Sequence, residues 1–90
     1  MAQNSPGARV TQRPTAVSLA DLPTGTRAVV RALRGGQELM SRLSAMGFIA
    51  GAPVEVLQTR GRGPLLVRVR DTRVALGRGE AVKVLVETSS

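Results

Sequence analysis

Hydrophobic positions along the chain fall into short runs of period two, interrupted once by a run of helical period. Residues 26–33, TRAVVRAL, put Ala28, Val30 and Ala32 on one side of an extended chain and Val29, Arg31 and Leu33 on the other. Alternation with β-branched enrichment predicts a strand. Gly35 and Gly36 end it. In residues 37–46 the period lengthens: Leu39, Met40, Leu43 and Met46 share one helical face, and Glu38 stands four positions before Arg42, a spacing that allows an ion pair on a helix. Gly47 is the expected left-handed residue that stops this helix. Further strands are predicted over residues 54–60, 65–70, 73–76 and 82–87. Gly61 to Pro64 and Asp71-Thr72 form the reversals, and residues 77–81 form a loop or a single helical turn. Ahead of the first strand, residues 18–23 read as one helical turn with Ser18 as its cap.

Five short strands, with one short helix inserted after the first, predict a mainly β protein folded as a small barrel. Residues 1–17 are rich in Pro, Gly, Gln and Thr, carry Arg9 and Arg13, and show no periodicity. They are expected to be a disordered basic tail. The barrel is expected over residues 18–87, with residues 88–90 a disordered C-terminus. Side chains fill a barrel of this size, which leaves no interior room for a substrate. Function is therefore expected on the outer surface.

Composition narrows the chemistry. The 90 residues contain no Cys, His, Trp or Tyr. There is no thiol for a disulfide, no ordinary soft or imidazole metal ligand, and no histidine base to activate a serine. The six acids Asp21, Glu38, Glu55, Asp71, Glu80 and Glu87 are scattered singly. Catalytic residues, cofactors and metal ligands are all expected to be none, and the protein is not expected to be an enzyme. No run approaches the roughly 20 apolar residues of a membrane span. The first residues lack the apolar stretch of a secretory signal, so the expected location is the cytoplasm. The glycine clusters do not match a phosphate loop between strand and helix, and turn geometry explains them better.

Thirteen basic residues give a net charge of +7. Arg60, Arg62, Arg68, Arg70 and Arg73 come from one hairpin region, and a nucleic-acid-binding stripe is the alternative reading. Against it, barrels that bind single strands stack bases on aromatics, and Phe48 is the only aromatic residue. The same charge predicts weak association with anionic membrane. A groove for proline-rich peptides needs the Trp and Tyr that this chain lacks.

The segment LMSRLSAMGFIAGAPV concentrates large apolar side chains beside glycines. Leu39, Leu43 and Met46 are expected to cap the barrel core. Met40, Phe48 and Ile49 are expected to stay partly exposed as an adaptable apolar patch. The predicted partner-binding residues are Met40, Leu43, Met46, Gly47, Phe48, Ile49 and Gly51.

The order of these elements resembles the FeoA family. It runs Leu19-x-x-Leu22, Pro23-x-Gly25, a valine strand, Gly35-Gly36, Leu39-x-x-x-Leu43-x-x-Met46-Gly47 and Gly51-x-x-Val54-x-Val56. Gly63-Pro64, the Val67–Val69 strand, Val74-x-Leu76 and Glu80-Ala81 before Val82-x-Val84 complete it. The resemblance implies an SH3-like β-barrel and a small cytosolic accessory protein of bacterial ferrous iron uptake. The partner it implies is FeoB, a membrane permease with a cytosolic GTP-binding domain, which would hold the protein at the inner face of the membrane. The same barrel is similar to the C-terminal interaction module of iron- or manganese-dependent repressors. A chain without His or Cys is a poor ferrous-ion carrier. Action by protein contact, biasing the permease's GTP cycle or gating, is therefore expected.

Overall fold

The computed structural model describes residues 16–59 and 61–88. In chain order the elements are β1 (Ala16–Ser18), a 3-10 turn (Leu19–Asp21), β2 (Arg27–Leu33), α1 (Gln37–Ala45) and β3 (Pro53–Thr59). They continue with β4 (Leu65–Val69), β5 (Thr72–Leu76), α2 (Arg78–Ala81) and β6 (Val84–Thr88). All neighbouring strands pair antiparallel, in the order β1-β6-β2-β3-β4-β5.

One face of the sheet supplies the core. Ala28 and Val30, Val54 and Val56, Leu65, Val67 and Val69, Leu76, and Val84 and Val86 are buried together in a single cluster. A six-stranded sheet gathers its inner faces into one cluster only by curling, so the expected barrel forms. Two bulges assist the curl, between Val30 and Ala32 where β2 meets β6, and between Val56 and Gln58 where β3 meets β4. An extra residue on one strand increases local twist and bends the sheet.

The strand count is six, not five, and α1 follows the second strand. The additional strand is Ala16–Ser18, which pairs with β6 through Ala16↔Glu87 and Ser18↔Leu85. Three residues carry no readable alternation, so their strand character comes from the partner. Ala16 and Val17 therefore belong to the barrel and not to the tail, and Thr88 belongs to β6 and not to the C-terminus. The remainder of the predicted tail lies outside the described residues. The helical turn capped by Ser18 forms as expected, with the Ser18 hydroxyl accepting from the Ala20 N–H at 3.1 Å.

Residues 77–81 form a helical turn, and β6 starts only at Val84. Val82 caps α2 and is 45% exposed, instead of opening the last strand. Glu80 holds this turn, its carboxylate accepting from the Gly77 N–H at 3.1 Å. The other carboxylate oxygen pairs with Arg42. The expected partner of Arg42 was Glu38. The pair with Glu80 forms instead because capping Gly77 fixes that carboxylate opposite α1.

Arg78 fastens the seam of the barrel. Its guanidinium donates to the Ala20 carbonyl at 3.1 Å, to Thr59 Oγ1 at 3.2 Å and to the Gly61 carbonyl at 2.6 Å. One side chain thereby joins the turn after β1, the end of β3 and the turn leading to β4.

Candidate partner-binding surface

Helix α1 begins at Gly36 without a side-chain cap and ends in a glycine-based reversal. Gly47 has φ +110°, its N–H bonds to the Ser44 carbonyl at 3.0 Å, and the Phe48 N–H reaches back to the Leu43 carbonyl at 3.0 Å. This is a Schellman motif, in which the second residue past the helix packs against the third from its end. The residues so brought together are Phe48 and Leu43, both fully buried.

That geometry corrects the expected patch. Phe48 is not exposed; the reversal that Gly47 permits turns its ring into the core beside Leu43. As predicted, Leu43 is buried, while Leu39 and Met46 pack on the core from its edge. Of the seven predicted partner-binding residues, Leu43 and Phe48 are interior and Met46 and Gly47 are half-buried. Met40 (38%), Ile49 (42%) and Gly51 reach solvent.

The exposed residues sit on rigid backbone. The Gly51 N–H bonds to the Val30 carbonyl at 2.7 Å and the Val30 N–H to the Ala52 carbonyl at 2.9 Å, docking the helix exit onto β2. Beside Met40 the outer face of α1 carries Gln37, Ser41, Ser44 and Ala45. With Gly35 these line an open depression of about 900 Å³. Its walls hold small or uncharged side chains, so a partner backbone can approach closely without displacing a charge.

Sequence reasoning did not find Val29 and Val82, which are also exposed. For Val29 the signal was present, because it shares the outer face of β2 with Arg27 and Arg31. The arginines of the suggested stripe do not act as a uniform set. Arg68 is half-buried and pairs with Glu55 at 3.1 Å, whereas Arg62, Arg70 and Arg73 are exposed; the Arg60 side chain lies outside the described residues. Among the described residues no group of three or more acids is placed to hold a metal ion. No described helix is long and apolar enough to cross a membrane.

The family model of the FeoA domain matches residues 17–88. An Fe(2+) transport protein A of Methanocaldococcus jannaschii is 32% identical over 69 residues, which cover 77% of this chain and 83% of that one. A fusion of Fe(2+) transport protein A to the Fe(2+) transporter FeoB in Porphyromonas gingivalis is 36% identical over 73 residues. That match takes 80% of this chain but only 9% of the fusion. The crystal structure of Stenotrophomonas maltophilia FeoA, described as a prokaryotic SH3 domain protein complexed with zinc, superposes with a TM-score of 0.70. It is 36% identical, over 79% of this chain and 89% of that one.

Proposed function

Because the chain belongs to the FeoA family, we propose that it is a non-enzymatic accessory of ferrous iron uptake that binds a FeoB-type permease through the outer face of α1 and its exit loop. The observation that carries this reading is the fusion relative, in which a matching segment shares one polypeptide with the transporter. A fused domain stays near its neighbour at high effective concentration, an arrangement suited to two parts that work in contact. The surface offered for contact is Met40 and Ile49 on rigid backbone, beside the uncharged depression along α1. The protein would then lie at the inner face of the cytoplasmic membrane, held there by its partner. Its binding would alter transport only by favouring one state of the permease, which requires unequal affinity for two of its conformations.

Co-purification with a detergent-solubilised FeoB permease tests the reading. The wild-type chain is expected to be retained, and a Met40→Asp, Ile49→Asp double variant is expected to be lost. Both positions are exposed, so circular dichroism and melting temperature should stay near wild type. Retention of the double variant at wild-type level would rule out this surface.

A further inference from the structure

On the outer sheet face, four charged side chains form a row across four strands. Arg27 on β2 stands opposite Glu55 on β3, Glu55 opposite Arg68 on β4, and Arg68 opposite Arg73 on β5. Beside the row is an open pocket of about 270 Å³ lined by Arg27, Arg68, Arg70 and Glu55 over Ala28, Pro53 and Val54. Three arginines thus line a pocket that holds one carboxylate, and that carboxylate is already taken by Arg68 at 3.1 Å. Arg27 and Arg70 have no acidic partner among the described residues.

The backbone at Arg70 gives a second, independent indication. Val69 pairs with Thr72, so residues 70 and 71 make a two-residue reversal, and Arg70 has φ +58°. It is the only non-glycine residue with positive φ among the described residues. Glycine or asparagine ordinarily occupies such a turn position, because a β-carbon makes the left-handed region unfavourable. Non-glycine residues held in this region persist where the surrounding structure enforces them, and they cluster at ligand-binding and switch sites. The Arg70 side chain also passes close to the helix exit, its Cδ lying 3.8 Å from where a β-carbon on Gly47 would stand. Arg70 thus reaches from the pocket to the glycine at the exit of α1.

We propose that this pocket binds the carboxylates of an acidic segment of a partner protein, with Arg27 and Arg70 as the receiving groups and Pro53 against the intervening apolar side chain. The proposal rests on the partner-binding reading, to which it adds the chemistry of the segment recognised. Guanidinium groups match carboxylates in planar, two-pronged geometry. The pocket takes one or two side chains, below the usual range for a small-molecule site. A single-stranded nucleic acid would find no stacking platform here, because the only aromatic, Phe48, is buried away from any base.

Titration of the isotope-labelled full chain by nuclear magnetic resonance tests this without the permease. The probes are a hexapeptide alternating Glu with Leu, its Gln counterpart, a single-stranded oligonucleotide and phosphatidylglycerol vesicles, all at physiological salt. The Glu peptide is expected to give saturable shifts confined to the Arg27, Val54–Glu55 and Arg68–Arg70 amides, with a dissociation constant of order 1 mM or tighter. The Gln peptide should give none. Arg27→Gln and Arg70→Gly should each weaken the peptide at least about tenfold, while Arg70→Gly raises the melting temperature by releasing the backbone. A purely structural Arg70 predicts a lower melting temperature and unchanged peptide binding. That result would overturn the proposal, as would absence of saturable shifts, shifts elsewhere, or tighter binding of the oligonucleotide or the vesicles. Loss of co-purification in the Met40 and Ile49 variant is scored separately, so the two readings can fail independently.

Discussion

Phe48 and Ile49 are adjacent in sequence and opposite in consequence. The Schellman reversal at Gly47 sends Phe48 into full burial and leaves Ile49 42% exposed. Phe48→Ala removes most of a buried ring from a small core and is expected to cost about 3–5 kcal/mol. That is a large fraction of the roughly 5–15 kcal/mol by which domains are stable. Ile49→Ala should change stability by no more than about 0.5 kcal/mol. Urea denaturation of the two variants checks this; similar midpoints would mean that the ring is not seated as described. The helix stop at Gly47 is legible in the sequence, whereas the burial of Phe48 follows only from the geometry of the reversal. A left-handed residue after a helix brings the next side chain back onto the final turn. Counting apolar residues around a helix face does not include that contact. Ile49 lies one residue past that contact and reaches solvent, and Met40, although it shares the apolar face of α1 by sequence, sits at the edge of that face and is 38% exposed.

At the scale of elements, α1, β4 and the hairpin to β5 follow their sequence periods closely, whereas β2 keeps its alternation only to Val30: the bulge before Ala32 leaves Ala32 exposed and packs Leu33 against the core. Elements without their own periodicity were harder to read. Ala16–Ser18 is a strand because β6 offers a free edge, and the start of β6 at Val84 is set by α2 and not by the valine alternation. Arg78 joins such weakly encoded pieces. Its bonds to Ala20, Thr59 and Gly61 span turns that share little other packing. Lysine retains the charge but not the planar fork, and it reaches one acceptor where arginine reaches three. Arg78→Lys is expected to destabilise the domain by about 1–3 kcal/mol. For a domain of this length that lowers the melting temperature by roughly 4–24 °C. Hydrogen exchange should quicken first at β1 and at the turn leading to β4. A uniform change across the barrel, or none, would show that Arg78 is not the fastening.

For the whole molecule, the question is whether the charges hold the fold together or push it apart. Among the described residues three ion pairs form, Arg31–Glu87 at 3.1 Å, Arg42–Glu80, and Arg68–Glu55 at 3.1 Å. In each the arginine is substantially exposed, where a pair contributes about 0–1 kcal/mol. Against them stands a net charge of +7 on 90 residues, whose mutual repulsion is largest in the compact state. Arg27, Arg70 and Arg73 form no ion pair among the described residues, and the acids nearest to them in the sheet and the chain are Glu55, opposite Arg27, and Asp71, beside Arg70. At 0.1 M salt the screening length is about 10 Å, short enough to weaken repulsion between distant arginines while leaving 3 Å contacts less affected. The melting temperature is therefore expected to rise as sodium chloride goes from about 10 to 200 mM, a range dominated by screening. Arg27→Gln should raise the low-salt melting temperature and flatten the dependence. If melting instead falls with salt, attractive pairs outweigh repulsion. The arginine-rich face would then be a structural network, not a surface held in readiness for an acidic partner.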